Sequence, residues 1–215
     1  SIGHAPISGL IDPRKGSKNA IAEALTNIVF APLEKGIHSI SLSANWMWPC
    51  NNPGEDTRLY EAVEECSKFA IDLGINIPTG KDSLSMKQKS SNYDVLSPGT
   101  VIISAAGQCS NVKNIIKPVA TAKGGEIFYV DFSQDEFYLG GSSFAQSQEC
   151  IGNDTPGVTD PVYFKRAFNT VQDHIKAGKI SAGHDIGSGG LITSLLEFCF
   201  PSLNIGMDLD FSCLE

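Results

Sequence analysis

None of the six cysteines, at positions 50, 66, 109, 150, 199 and 213, stands in a C-x-x-C pair. No Cys/His spacing matches a zinc site either. A zinc ribbon or finger is thereby excluded. What remains is a set of reduced thiols, two of them on apolar helix faces, as in a cytoplasmic protein. Basic residues are scarce, with 16 Lys and Arg against 24 Asp and Glu, a net charge of −8. That balance argues against a nucleic-acid-binding surface. It does not argue against a nucleotide, whose phosphates can be met by Mg²⁺ and by backbone N–H groups. No apolar run is long enough to span a membrane, and no signal peptide is recognisable. The G-x-G-x-x-G dinucleotide fingerprint and the G-x-S-x-G nucleophile elbow are both missing. A Walker A loop fails too, because Gly74 and Gly80 are separated by five residues and Asp82, not Ser or Thr, follows Lys81. Low-complexity tracts and fixed-period repeats are absent.

Apolar residues make up 41% of the 215, enough to bury a core in one large or two small domains. The stretch Gly54–Met86 organises the chain. Leu59, Val63, Cys66, Ala70 and Leu73 recur at helical spacing, and Gly74 follows as a C-terminal cap. Ile75–Ile77 is expected to be a short strand ended by Pro78. Thr79–Met86 is then a loop dense in charge and hydroxyl groups, and such loops are frequent places for chemistry. Before this unit, Ser1–Ile11 is a lead-in. Asp12-Pro13 caps a helix expected to run to about Phe30, with Ile21, Leu25 and Ile28 buried. Residues 37–44 alternate as a half-buried strand that leads into Trp46 and Trp48, which are expected to pack. Residues 87–99 are expected to be surface loop, 100–108 a strand, and 111–116 a short helix.

Lys117–Gly125 is the best domain boundary. Beyond it, Glu126–Phe132 is an expected strand, and Leu139-Gly140-Gly141-Ser142-Ser143 opens a helix. Gly152–Thr159 is a loop, and Asp160-Pro161 repeats the Asp-Pro cap. The helix that follows should bury Phe164, Phe168, Val171 and Ile175 and close at Gly178. Ile180–Ile186 is an expected strand carrying His184 and Asp185, followed by Gly187-Ser188-Gly189-Gly190 and an apolar helix to Phe200. Ile205–Phe211 is expected to be a strand cut short. Ser1 in place of Met, and that last strand, give the expectation of an excised piece of a longer protein. His184 and Asp185, as strand neighbours, should face opposite ways and form no catalytic dyad.

Two kinds of site are possible on these residues alone. Glu23 and Asn27 are four apart, so a carboxylate and an amide oxygen lie side by side, roughly 150° around the helix from its apolar stripe. The pair suits a hard cation such as Mg²⁺, and equally a solvated helix face. The two glycine-bearing loops at helix starts suit phosphate, and equally tight turns.

A resemblance favours the functional reading of both. Ser43–Pro49, Gly54-Glu55-Asp56, Leu59–Val63 and Ile77–Met86 resemble the phosphoribosylformylglycinamidine synthase family, specifically the second synthetase half of its large single-chain form. The resemblance covers nearly the whole chain. It implies an α/β (α+β) fold of the aminoimidazole ribonucleotide (AIR) synthetase type. Residues 1–122 would be an N-terminal mixed-sheet domain with flanking helices, and 123–215 the start of a C-terminal α/β domain. It implies Mg²⁺ at Glu23, Asn27 and Asp185, and ATP or ADP at Gly140, Gly141, Ser142, Gly187, Ser188 and Gly189. Lys81 is the expected contact to a phosphate or carboxylate, with Asp82 orienting it. The family's His-Asp-x-Ser-Asp-Gly-Gly motif is altered here, since Gly187 replaces its Ser and Ser188 its second Asp. A side-chain contact to ATP is lost at Gly187, and a backbone N–H is left to substitute. The implied activity is glutamine-dependent amidation of formylglycinamide ribonucleotide in purine biosynthesis. The other synthetase half and a separate glutaminase domain would lie in cis, and family members pair through their first domains. The alternative implied role is a non-catalytic half that holds a permanent Mg–ADP.

Overall fold

The computed structural model describes residues 1–121, 124–202 and 204–212. Six strands are present among them: β1 (Ile2–His4), β2 (Ile40–Met47), β3 (Asn76–Ser83), β4 (Lys87–Lys89), β5 (Asp94–Leu96) and β6 (Thr100–Gly107). Four make a mixed sheet in the order β1-β6-β2-β3, and β4 and β5 form a separate hairpin. β2 and β6 run antiparallel from Ile40↔Gly107 to Met47↔Thr100, while β3 runs parallel to β2.

One face of the sheet is covered by two long helices, α2 (Pro13–Ile28) and α3 (Glu55–Leu73), which follow the short α1 (Pro6–Ile11). Asp12 starts α2 as expected, its carboxylate accepting from the Arg14 and Lys15 amides with Pro13 in the first helical position. Gly74 ends α3 at φ 74°, a left-handed cap that a side chain would resist. Ala20, Ile21, Ala24 and Leu25 of α2 meet Cys66, Phe69, Ala70 and Leu73 of α3 above Leu42, Ala44 and Ile103 of the sheet. Each fully buried Leu, Ile or Phe there contributes about 1.5–3 kcal/mol. The buried stripe of α3 is turned from the expected one, with Ala62 and Phe69 facing inward and Val63 42% exposed. The small Ala62 is completely buried on that inner face.

Several expected boundaries are corrected. The lead-in 1–11 is a strand and a helix, because Ile2–His4 finds a partner in Ile102–Ser104. Residues 36–39 are a turn of 3₁₀ helix, so the strand begins at Ile40. Pro78 does not end β3. The register shifts between the partners of Ser41 and Ser43, leaving Ile77 and Pro78 in an irregularity on an edge strand, where a missing N–H is tolerated. Lys81 and Asp82 therefore sit on a strand, not in a loop. The expected loop 87–99 contains the β4–β5 hairpin. The short helix at 111–116 is one 3₁₀ turn at Val112–Asn114.

The second part is built on α4 (Ser143–Ser147), α5 (Pro161–Lys176) and α6 (Gly190–Cys199). Asp160 caps α5 as Asp12 caps α2. The strands expected at 126–132, 180–186 and 205–211 are not formed, since no ladder partner exists for them among the described residues. Ile127 and Phe128 are left 57% and 78% exposed. The core itself continues past the 117–125 segment, of which residues 122 and 123 lie outside the described ones. Val158, Phe164 and Phe168 belong to the same buried cluster as α2 and α3. Phe164 stands edge-on to Phe69 with ring centroids 5.7 Å apart. On α5, Gln172 rather than Val171 completes the buried stripe.

Candidate functional site

Glu23 and Asn27 stand one turn apart on α2, against the outer edge of β1. The His4 amide donates to Glu23 Oε2 at 2.7 Å, and Asn27 Nδ2 donates to the Ile2 carbonyl at 3.3 Å. Glu23 Oε1 and Asn27 Oδ1 keep no protein donor among the described residues. A carboxylate oxygen and an amide oxygen, side by side and uncommitted, are the donor chemistry a hard cation takes. The pair could supply two ligands to a hard cation, while no cluster of three or more His, Cys, Asp or Glu that could hold a metal ion occurs among the described residues.

Asp185 lies in another cluster. The loop that replaces the expected strand lets His184 turn back on its neighbour, contrary to strand alternation. His184 Nδ1 is 2.6 Å from the Asp185 carbonyl oxygen and 3.6 Å from Asp185 Oδ1, while Nε2 is 3.2 Å from Glu197 Oε2. The ring packs on Phe198, and Ser194 Oγ donates to the same Asp185 carbonyl at 3.1 Å. No hydrogen bond or ion pair among the described residues joins Asp185 to Glu23 or Asn27.

The two glycine-bearing loops do meet. The Ser143 amide donates to the Ser188 carbonyl at 2.9 Å, and the two hydroxyls are 3.3 Å apart. Ser142 is the N-cap of α4, accepting from the Ala145 amide. Gly140 is needed for packing, because a Cβ there would fall 1.8 Å from the Asp154 carbonyl oxygen, and Gly141 lies against Ser8. Nothing comes within 4 Å of the Cβ position of Gly187, so that loop stays open. Gly189 caps α6.

Lys81 and Asp82 belong to a third place, the edge strand β3. Thr79–Asp82 line an open depression of ≈ 400 Å³ with Ala44, Trp46, Ile77 and Pro78. Neighbours on an extended strand project to opposite faces, and no ion pair joins Lys81 to Asp82, so the orienting role expected of Asp82 is not seen. Trp46 and Trp48 pack 6.4 Å apart, with Trp48 buried, in keeping with a packing role.

Residues invisible to motif reasoning fasten the 154–158 segment to α2. Lys15 Nζ reaches the Thr155 carbonyl at 2.7 Å, Asp154 at 3.0 Å and Asp135 at 3.5 Å, and lies over the Tyr138 ring. Lys18 and Asn19 donate to the carbonyls of Val158 and Pro156. Burial alone would pull the Lys15 ammonium down, but Asp154 and Asp135 outweigh it and its pKa is raised. The Lys15 hydrogen bond in turn lowers that of Asp154. These partners are 139 or more residues apart from Lys15 where Asp154 and Thr155 are concerned. Only the Asp-Pro cap that begins α2 hinted at this helix's orientation.

Residues 1–108 match the family model of the FGAR-AT PurM_N-like domain. The chain belongs to this family. Residues 138–214 match the C-terminal domain of AIR synthase related proteins. Among its relatives, the probable phosphoribosylformylglycinamidine synthase of Arabidopsis thaliana is 39% identical over 99% of the chain and 15% of its own length. The phosphoribosylformylglycinamidine synthase of Homo sapiens is 36% identical over 98% and 16%. The chain therefore spans about one sixth of these relatives. Thermotoga maritima PurL, solved in complex with FGAR, superposes with a TM-score of 0.61 at 13% identity, over 92% of this chain and 30% of that one. The same protein complexed with ATP gives 0.52 at 14% identity, over 92% and 28%. At these identities the likeness establishes the fold, the AIR synthetase-like α/β fold of this FGAR-AT family.

Proposed function

We propose that the chain is one part of a glutamine-dependent carbon–nitrogen ligase. The whole enzyme converts formylglycinamide ribonucleotide, ATP and glutamine to formylglycinamidine ribonucleotide, ADP, phosphate and glutamate. The observation that carries this is the identity of 39% with a probable phosphoribosylformylglycinamidine synthase across nearly every residue of the chain. In the reaction, phosphoryl transfer to an amide oxygen creates a leaving group that ammonia displaces. Bound Mg²⁺ would supply charge neutralisation at the phosphates. Glu23 and Asn27 would hold it by their uncommitted oxygens, and Asp185 would join them from the second part. The joined loops at Ser142–Ser143 and Gly187–Gly189, together with Gly140 and Gly141, would receive the nucleotide. Lys81 would meet an anionic group at the β3 edge, with Asp82 on the opposite face.

A second reading keeps the nucleotide but not the catalysis: Mg–ADP is held permanently as scaffolding for the other half. The altered motif, with Gly187 and Ser188, favours it, because a resident nucleotide needs holding and not turning over. A full-length Glu23→Ala/Asn27→Ala variant separates the two. If the fold survives and turnover falls, the site is catalytic. If bound nucleotide is lost and the fold fails first, it is auxiliary. Unchanged nucleotide content and turnover would overturn both.

The fragment alone is inactive on this reading, since the other half and the glutaminase domain are required, and ammonia-dependent turnover by it would refute that. β3 is an edge strand with almost no buried residue, open to pairing with a second copy. Self-association is expected, and a monodisperse monomer in light scattering would count against it. The free thiols support a cytoplasmic setting; a full-length fluorescent fusion confined to an organelle would contradict it. Acidic charge argues against nucleic acid as a partner, and among the described residues no helix is long and apolar enough to cross a membrane.

A further inference from the structure

We propose that the backbone of β1 positions the cation ligands of α2, an inference that rests on the metal reading of Glu23 and Asn27. β1 is the terminal strand of the sheet. Ser1 exchanges two backbone hydrogen bonds with Ala105 of the chain's β6 region, its nitrogen donating at 3.0 Å and its carbonyl accepting at 2.9 Å. In an antiparallel ladder the bonded pairs alternate, so Gly3 also faces β6 while Ile2 and His4 turn their N–H and C=O groups outward. Those outward groups would be the exposed edge of the sheet. They are met by Asn27 Nδ2 at the Ile2 carbonyl and by Glu23 Oε2 at the His4 amide.

Two consequences follow for the ligands. Asn27 is an amide whose two ends differ chemically, and only Oδ1 can bind a cation. Donation from Nδ2 to Ile2 selects the rotamer that turns Oδ1 away from β1. Glu23, by accepting from His4 through one oxygen, is held with the other oxygen free. The spacing of Ile2 and His4, two residues along one strand edge, matches the spacing of Glu23 and Asn27, one turn along one helix face. The clamp is rigid because β1 rests on the helix backbone itself. A Cβ at Gly3 would fall 2.2 Å from the Ala20 carbonyl oxygen and 2.3 Å from the Ala24 nitrogen, and Ser1 Oγ donates to the Ala24 carbonyl at 2.6 Å. The strand edge thus does for Glu23 and Asn27 what an outer-shell partner does for a metal-bound histidine.

The test uses the full-length enzyme and Mn²⁺ in place of Mg²⁺, with free Mn²⁺ followed by electron paramagnetic resonance. Glu23→Gln should abolish one class of Mn²⁺ site. His4→Pro removes the N–H that reaches Glu23 and should weaken that same class about ten-fold, while His4→Ala, which keeps the N–H, should not. Loss in Glu23→Gln with parental binding in His4→Pro would overturn the positioning role and leave the metal reading intact. Parental binding in Glu23→Gln would remove both. A second measurement needs no variant. If β1 orders the ligands, the cation must reciprocally order β1, so amide exchange in the peptide covering Ser1–Pro6 should slow when Mg²⁺ alone is added to the parent enzyme. Unchanged exchange there would overturn the proposal.

Discussion

Ser143 donates its backbone N–H to the carbonyl of Ser188 at 2.9 Å, and so fastens together two loops 45 residues apart in sequence. The bond links the start of α4 to the loop before α6, the two stretches proposed to receive the nucleotide. Ser143 is the first residue of its helix, and Ser142 before it is extended at φ −74°, ψ 158°. Proline is compatible with both conditions. Ser143→Pro should therefore preserve the helix while removing the N–H, together with the hydroxyl that lies 3.3 Å from that of Ser188. ADP affinity of the full-length protein is expected to fall by about three- to ten-fold, the worth of one net hydrogen bond, as read by calorimetric titration. Unchanged affinity would separate the joined loops from nucleotide binding.

Gln172, 1% exposed, spends its whole amide on the turn after α2. Its Oε1 accepts from the Leu33 amide at 2.8 Å, and its Nε2 donates to the carbonyls of Ala31, at 2.9 Å, and Val29. Gln172→Leu keeps the volume but leaves three backbone groups of that turn unpaired, two of them in buried bonds. Urea denaturation should show a loss of about 3 kcal/mol or more, whereas a surface change on the same helix, Lys165→Gln, should cost little.

The Lys15 cluster makes the packing of 154–158 on α2 sensitive to acid. The lowered pKa of Asp154 has one sign: its contribution is present above the ordinary carboxylate value of 3.8 and is lost as pH falls below it. Lys15→Met should weaken that dependence, leaving the part that the Thr155 amide contributes. Hydrogen exchange of the 152–159 peptide should accelerate in the variant at neutral pH, and in the parent only below about pH 4.

Cys66 is buried against the sheet, and burial pushes its thiol up to about 12. A raised pKa means stability is fully present below the unfolded thiol value near 9 and declines as pH rises towards 12. Native protein should resist alkylation at Cys66 at pH 8 while the exposed Cys150 reacts. Cys66→Ala should flatten the alkaline limb of a denaturation series between pH 9 and 11; an unchanged slope would assign it to other groups.

Local devices were legible in the amino-acid sequence. The Asp12-Pro13 and Asp160-Pro161 caps, the glycine at the end of α3 and the alternation of Ile40, Leu42 and Ala44 all rest on neighbours a few residues away. What escaped was nonlocal. β1 is three residues long and exists only because Ile102–Ser104 lies beside it. β3 passes through Pro78 because it occupies an edge, a fact no residue on the strand announces. Conversely, Glu126–Phe132 has strand composition and forms none, since pairing needs a partner as well as a pattern. The same holds at the candidate site. The adjacency of Glu23 and Asn27 follows from helical pitch, while their bonds to β1, the Ser143–Ser188 joint and the Lys15 hub depend on segments brought together by the fold.

The sharing of Phe164 and Phe168 across the 117–125 segment bears on how this protein can be cut and recombined. A module excised at that segment would carry away a helix pair whose interior filling had been left behind on α5, and would present Phe69 to water. Anyone building chimeras from such synthetases should transplant residues 1–176 as one piece, because the aromatic plug travels with the far side of the linker.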